Sequence, residues 1–156
     1  MVSMNVIPAD ASVNAVLGHL SCADGDLIKG QSTFAQYYQT ANVWYGSLSV
    51  IDHLHAYKVK LATPQALRVS GVAVPADTQL TLYAGWNHLP YLPSSASYDL
   101  NAGLPTHAYA EGDLIKSTVA FARYYASYGW YGSLSTLAPA NGYMLKVATG
   151  GTARFP

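Results

Sequence analysis

Aromatic side chains are the residues of this chain best suited to recognition chemistry, and they occur in two matching groups. The tyrosines of the two groups are Tyr37, Tyr38, Tyr45, Tyr124, Tyr125 and Tyr131. Each group also contains a tryptophan, Trp44 or Trp130. Sugars stack their apolar C–H faces on aromatic rings while their hydroxyls bond to polar groups, so these six tyrosines are candidate glycan-binding residues. The alternative is that the rings fill two small cores, and we expect this of the tryptophans.

Two histidines are the candidates for a metal site. His53 and His55 lie two residues apart, so in an extended segment both imidazoles face the same side and could share an ion. Asp52 would then face the other way, and no further ligand lies nearby in the sequence. The alternative is two solvent-facing histidines in a turn, and we predict no cofactor.

Motifs for catalysis are absent from the sequence. It contains no G-x-S-x-G elbow, phosphate-binding loop, zinc-type Cys/His set or dinucleotide fingerprint. Charged pairs recur at Asp26 with Lys29 and at Asp113 with Lys116. Their carboxylates would act as an acid/base or calcium ligand, or would simply cap a turn. We predict a non-enzyme; the alternative is a hydrolase with an unrecognised pair among the eight acidic residues.

The aromatic groups recur because a longer series of motifs occurs twice. Residues 25–29, 34–38 and 44–49 return as residues 112–116, 121–125 and 130–135. The offset is 87 residues up to the tyrosine pair and 86 from the tryptophan onward, so one residue has been lost from a turn. The repetition predicts two homologous units, 1–70 and 86–156, joined by a strand-bearing connector at 71–85.

Each unit reads as a small antiparallel sheet with one short helix. Val13, Val16, Leu17 and Leu20 form an apolar stripe on the first helix. Gly103 and Pro105 predict a shorter helix in the second unit. The predicted fold class is therefore α+β, mainly β, with the two units packed about a pseudo-twofold axis.

Composition narrows the range of partners. Hydrophobic residues make up 51% of the chain and charged residues 10%, which is typical of a folded protein. Eight Lys plus Arg balance eight Asp plus Glu, so we predict no nucleic-acid partner. No apolar run reaches the roughly 18 residues of a spanning helix, so we predict no membrane span.

The start of the first unit predicts an edge that must be covered. The strand predicted at residues 80–83 precedes the second unit, and the first unit has no counterpart of it. An apolar edge strand invites pairing. We expect the connector to cover residues 2–7; a second chain, in a homodimer through this edge, is the alternative.

A family resemblance rests on the second unit. Its motifs are Gly85-Trp86-Asn87, residues 112–117, Phe121-Ala122, residues 129–134 and residues 142–146. They resemble a repeat of pattern G-W-N, G-D-x-I-K-S, F-A-x-Y, G-W-x-G-S-L and P-G-x-G-Y-M-x-K, found in tandem in large secreted or surface-attached proteins, mainly bacterial. The first unit departs from the pattern at residues 51–57.

The resemblance implies an extracellular or cell-surface module without catalytic activity. The N-terminus itself, residues 1–4, lacks the features of a signal peptide, which leaves a cytoplasmic location open. Glycan binding is the most concrete function, and a structural spacer or assembly module, whose repeats bind each other or a neighbouring chain, is the alternative.

Overall fold

The computed structural model describes residues 1–156 and is mainly β. In chain order its elements are β1 (Val6–Ile7), α1 (Val13–Leu17), β2 (Leu27–Lys29), β3 (Phe34–Tyr38), β4 (Val43–Gly46), β5 (Lys58–Lys60), β6 (Val72–Ala73), β7 (Gln79–Leu82), β8 (Gly85–Pro90), α2 (Leu100–Gly103), β9 (Leu114–Lys116), β10 (Phe121–Tyr125), β11 (Gly129–Gly132), β12 (Gly142–Val147) and β13 (Gly151–Arg154). All strand pairs are antiparallel. The predicted class, α+β and mainly β, is confirmed.

Two of the sheets have the same strand order. In the first unit it is β4-β3-β2-β5, and in the second it is β11-β10-β9-β12, with β8 added beyond β12. The turn between β3 and β4 is residues 39–42, whereas that between β10 and β11 is residues 126–128. The second turn is one residue shorter, as the change in offset predicts. A turn absorbs this change because no strand side chain has to switch faces.

Both helices are short and begin at a capping side chain. Ser12 accepts a hydrogen bond from the backbone N–H of Ala15 at the start of α1, and Asp99 accepts one from Asn101 at the start of α2. As predicted, α2 is the shorter helix, with four residues against five, and Val13, Val16 and Leu17 of the apolar stripe are buried. Leu20, the fourth residue of the predicted stripe, lies beyond the end of α1 and is only partly buried. Neither helix has the length and apolarity needed to cross a membrane.

Each unit has its own hydrophobic core beneath one face of its sheet. The first core includes Ile28, Ala35 and Trp44, and the second includes Ile115 and Trp130. Trp44 and Trp130 are only 4% and 7% exposed, which confirms that both tryptophans belong to the cores. Alternating side chains point to opposite faces of a strand, so the other face of each sheet points away from its core, and in the second sheet His88 on that face is itself buried.

The connector pairs with both ends of the chain. Its strand β6 pairs with β1, with Val6 opposite Ala73 and Ile7 opposite Val72, which confirms that the connector covers part of the first edge. Its second strand, β7, pairs with β13. The second core includes two side chains of β7, Leu80 and Leu82.

Two reciprocal hydrogen bonds join the units. The N–H of Ala56 donates to the carbonyl of His88, and the N–H of Gly142 donates to the carbonyl of Met1, both at 3.2 Å. Met1 and His88 are 87 residues apart, and Ala56 and Gly142 are 86 apart, so the repeat relates one bond to the other. Packing about a pseudo-twofold axis predicts such a pair of contacts; the homology of the two units stays a prediction.

Candidate functional site

The solvent-facing sides of the two sheets hold most of the tyrosines that the sequence singled out. Paired residues of antiparallel strands share a face, so the strand registers define each side. The first outer face consists of Leu27, Lys29, Phe34, Gln36, Tyr38, Val43, Tyr45, Lys58 and Lys60. The second outer face consists of Trp86, His88, Leu114, Lys116, Phe121, Arg123, Tyr125, Gly129, Tyr131, Met144 and Lys146.

Large aromatic side chains are exposed at equivalent positions of the two outer faces. Tyr45 is 72% exposed and Tyr131 is 70% exposed. Phe34 is 48% exposed and Phe121 is 56% exposed. Such rings expose apolar surface on a hydrogen-bonded sheet, where their backbone is held and only the side chain is free to adjust.

The second outer face has an additional aromatic stack. Tyr128, in the turn between β10 and β11, stacks on Tyr125 with ring centroids 4.8 Å apart and an interplanar angle of 14°. Its ring also meets Tyr131 edge-on at 6.2 Å. The corresponding turn of the first unit, residues 39–42, contains no tyrosine. Tyr125, Tyr128 and Tyr131 therefore form a continuous aromatic surface that the first unit lacks.

Two of the six predicted tyrosines lie on the core side of their sheets. The ring of Tyr37 packs against Trp44 with centroids 5.6 Å apart, and that of Tyr124 packs against Trp130 at 5.5 Å. Tyr38 and Tyr125, their sequence neighbours, are on the outer faces. The structure therefore brings together Tyr38 with Tyr45, and Tyr125 with Tyr131, and separates Tyr37 and Tyr124 from them.

Basic side chains flank these rings. The Nζ of Lys116 lies 4.5 Å from the ring centroid of Trp86, and the guanidinium of Arg123 lies 5.6 Å from that of Tyr125. At these distances the positive charge is attracted to the π face of the ring. The first outer face also has three lysines, of which Lys29 lies directly opposite Lys58 on the neighbouring strand.

Asp26 and Asp113 fasten turns and do not form ion pairs with the repeated lysines. Asp113 accepts hydrogen bonds from the backbone N–H groups of Ala110 and Ala148 at 2.9 and 2.8 Å. Asp26 accepts the equivalent hydrogen bonds from the N–H groups of Ala23, in the turn before β2, and Ala62, which follows β5. Both carboxylates are buried, whereas Lys29 and Lys116 are on the outer faces. Of the two roles considered for these carboxylates, the geometry favours capping.

The histidine pair lies in a turn and not in an extended segment. Asp52 accepts a hydrogen bond from the N–H of Leu54 at 2.9 Å, and its Oδ1 lies 2.7 Å from the Nδ1 of His55. The expectation that Asp52 faces away is therefore wrong, because the chain turns back. The hydrogen bond that Asp52 accepts from the ring of His55 raises the pKa of that histidine. Burial opposes ionisation of Asp52, but the hydrogen bond and charge of His55, together with the hydrogen bond from Leu54 and the charge of His53, outweigh it and lower the pKa of that carboxyl.

Two further features bear on ligands of other kinds. No group of three or more His, Cys, Asp or Glu side chains is arranged to hold a metal ion, so His53 and His55 gain no further ligand from the fold. Two cavities of about 510 Å³ each are lined by residues other than the six tyrosines. The aromatic surfaces are thus open faces and not clefts.

Sequence reasoning left out several exposed residues of these faces. Phe34 shares its strand face with Gln36, and Phe121 shares its strand face with Arg123. In both cases the polar neighbour indicates that the phenylalanine points outward. Tyr128 and Trp86 had no such signal, because one lies in a turn and the other on a strand edge. No family model, curated protein or solved structure matches the chain. Its function must be inferred from the two outer faces.

Proposed function

We propose that this chain is a non-catalytic extracellular or cell-surface module that binds glycans on the outer faces of its two sheets. The observation that carries the proposal is the exposure of Tyr45 and Tyr131, 72% and 70%, at equivalent positions on rigid strands. Exposed rings at matching positions of both sheets give each face the apolar surface on which a sugar can stack.

The shape of the faces favours a polymer over a small molecule. A small ligand is usually enclosed by a cleft that buries most of its surface. Here Tyr128, stacked on Tyr125, and Tyr131 present exposed rings on an open face, so successive sugar units of one chain can contact these two rings. With a similar aromatic face on each unit, one polysaccharide or two neighbouring chains can be held at two places, which raises the overall affinity without any new contact.

Binding to an array of polysaccharides tests the proposal. The variant Tyr45→Ser with Tyr131→Ser removes one exposed ring from each face and should weaken binding about tenfold, since each stacked ring contributes about 0.5–1.5 kcal/mol beyond its buried area. Tyr98→Ser is the matched control, because Tyr98 is 82% exposed but lies outside both faces. If the parent binds no polysaccharide, or if the control loses as much affinity as the face variant, the proposal fails.

An assembly module is the second candidate, favoured by the free edge of β5. The strand β5 is hydrogen bonded to β2 on one side, and on its other side only Tyr57, just before the strand, is bridged by Val2. An open strand edge can pair with a second copy or a neighbouring repeat. Light scattering after gel filtration measures this: a dimer at micromolar concentration that Val59→Pro abolishes supports assembly through β5, and a monomer at all concentrations refutes it.

A further inference from the structure

The basic residues of this chain are concentrated on the same faces as the exposed rings. Lys29, Lys58 and Lys60 are on the first outer face, and Lys116, Arg123 and Lys146 are on the second. These are six of the eight Lys and Arg residues in the sequence; the other two are Arg68 and Arg154. None of the eight acidic residues is on either face, although the chain as a whole has no net charge.

These cations are not neutralised within the molecule. The one ion pair of the structure joins Asp52 to His55, so no Lys or Arg contacts a carboxylate. Lys29 lies directly opposite Lys58, and like charges in that position destabilise a sheet. An anion bound between them would relieve this repulsion. Because the two charges repel each other in the free protein, this arrangement favours the binding of an anion.

One row of residues across the second outer face has a ring at each end and two cations between them. It crosses all five strands as Trp86, Lys146, Leu114, Arg123 and Tyr131. With strands about 4.8 Å apart, the row is about 19 Å long. Sugar rings can stack at its aromatic ends while acidic groups meet Arg123 and Lys146 between them. An acidic polysaccharide carries both kinds of group along one chain.

Resting on the proposed function, we infer that the glycan bound by the two outer faces is an acidic polysaccharide, with carboxylate or sulfate groups on its sugars. Single-stranded nucleic acid also combines rings with negative charge. Nucleic acid fits less well, because two carboxylates lie at the hairpin ends of the two faces. Asp24 accepts a hydrogen bond from the N–H of Gln39 at 2.6 Å, and Glu111 accepts one from the N–H of Ala126 at 2.8 Å. The chain also has no net positive charge, whereas nucleic-acid-binding domains are usually strongly basic.

Matched polymers separate this inference from the proposed function. The probes are polygalacturonate and hyaluronan, each beside its carboxyl-reduced form, which keeps the sugar backbone and loses the charge. The parent should bind the acidic forms at least tenfold more tightly, with an affinity that falls as salt is added. If reduced and acidic forms bind equally, glycan binding stands and the acidic preference is overturned. If neither binds and the polysaccharide array is also negative, both fail.

Charge-matched variants test the faces themselves. Arg123→Gln with Lys146→Gln removes two charges from the second outer face, and Arg68→Gln with Arg154→Gln removes two charges elsewhere. The first variant should bind polygalacturonate about five- to tenfold more weakly and the second should bind as the parent does, with both melting as the parent does. Equal losses in both variants would overturn the inference. Binding of oligo-dT as tight as that of polygalacturonate would overturn it too, in favour of a nucleic-acid surface.

Discussion

Asp113 is the side chain whose removal should most directly loosen the second sheet. The change Asp113→Ala deletes a buried carboxylate whose Oδ2 accepts from the N–H of Ala110 and whose Oδ1 accepts from that of Ala148. The first bond closes the turn before β9. The second ties that turn to the residue that follows β12. Both the turn and the strand end therefore lose their fastening in the variant.

The expected loss follows from these two bonds. A hydrogen bond to a charged group contributes about 1.5–3 kcal/mol, and two such bonds would contribute about 3–6 kcal/mol. Ala148 is exposed, so water replaces part of its bond, and the lower end of the range applies. We expect the free energy of unfolding to fall by about 3 kcal/mol. Asp113→Asn keeps one acceptor oxygen but turns an N–H toward a donor, so it should lose about half as much.

Urea unfolding followed by tryptophan fluorescence measures the change, because Trp130 is buried in the same unit. Asp77→Ala is the matched control, since Asp77 is an exposed aspartate and its loss should change the free energy of unfolding by no more than about 0.5 kcal/mol. Equal urea midpoints for Asp113→Ala and Asp77→Ala would show that the carboxylate does not fasten the turn.

Three other substitutions test the packing of the units. Trp44→Ala should lower the free energy of unfolding by about 3–5 kcal/mol in the same urea assay, because it empties a buried site; a urea midpoint equal to that of the parent would contradict burial. Asn101→Ala should lower it by about 1–2 kcal/mol, because the Oδ1 of Asn101 accepts from the N–H of Trp130 at 2.7 Å; an unchanged midpoint would mean that water takes over this bond. Burial, and then the charge of Lys58, lowers the pKa of His88. This contribution to stability is therefore fully present above the unfolded pKa of about 6.5, where His88 is neutral, and it is lost as the pH falls through the folded pKa. His88→Gln should therefore lose less stability than the parent between pH 7 and pH 5 in thermal melts, and a parallel loss in both proteins would assign the acid sensitivity to other groups.

Local pattern was sufficient to predict much of the fold. The repeated motifs predicted two sheets of the same strand order, and the change of offset predicted the shorter turn at residues 126–128. The burial of Trp44 and Trp130 followed from strand alternation, because a ring that shares its face with Gly and Leu faces a core. Alternation could not decide between Tyr37 and Tyr38, since adjacent tyrosines look alike whichever of them faces the core.

The sequence by itself therefore determined the mainly β class and the two aromatic groups, since these depend on neighbours along the chain. Only the tertiary structure decided which rings are exposed and which charges are neighbours. Eight basic and eight acidic residues suggest an even surface when counted, yet strand pairing places Lys29 opposite Lys58 and leaves both outer faces without a carboxylate. The physical reason is that strand register, and not composition, determines which distant residues share a face, so the sidedness of charge arises only when the sheets form.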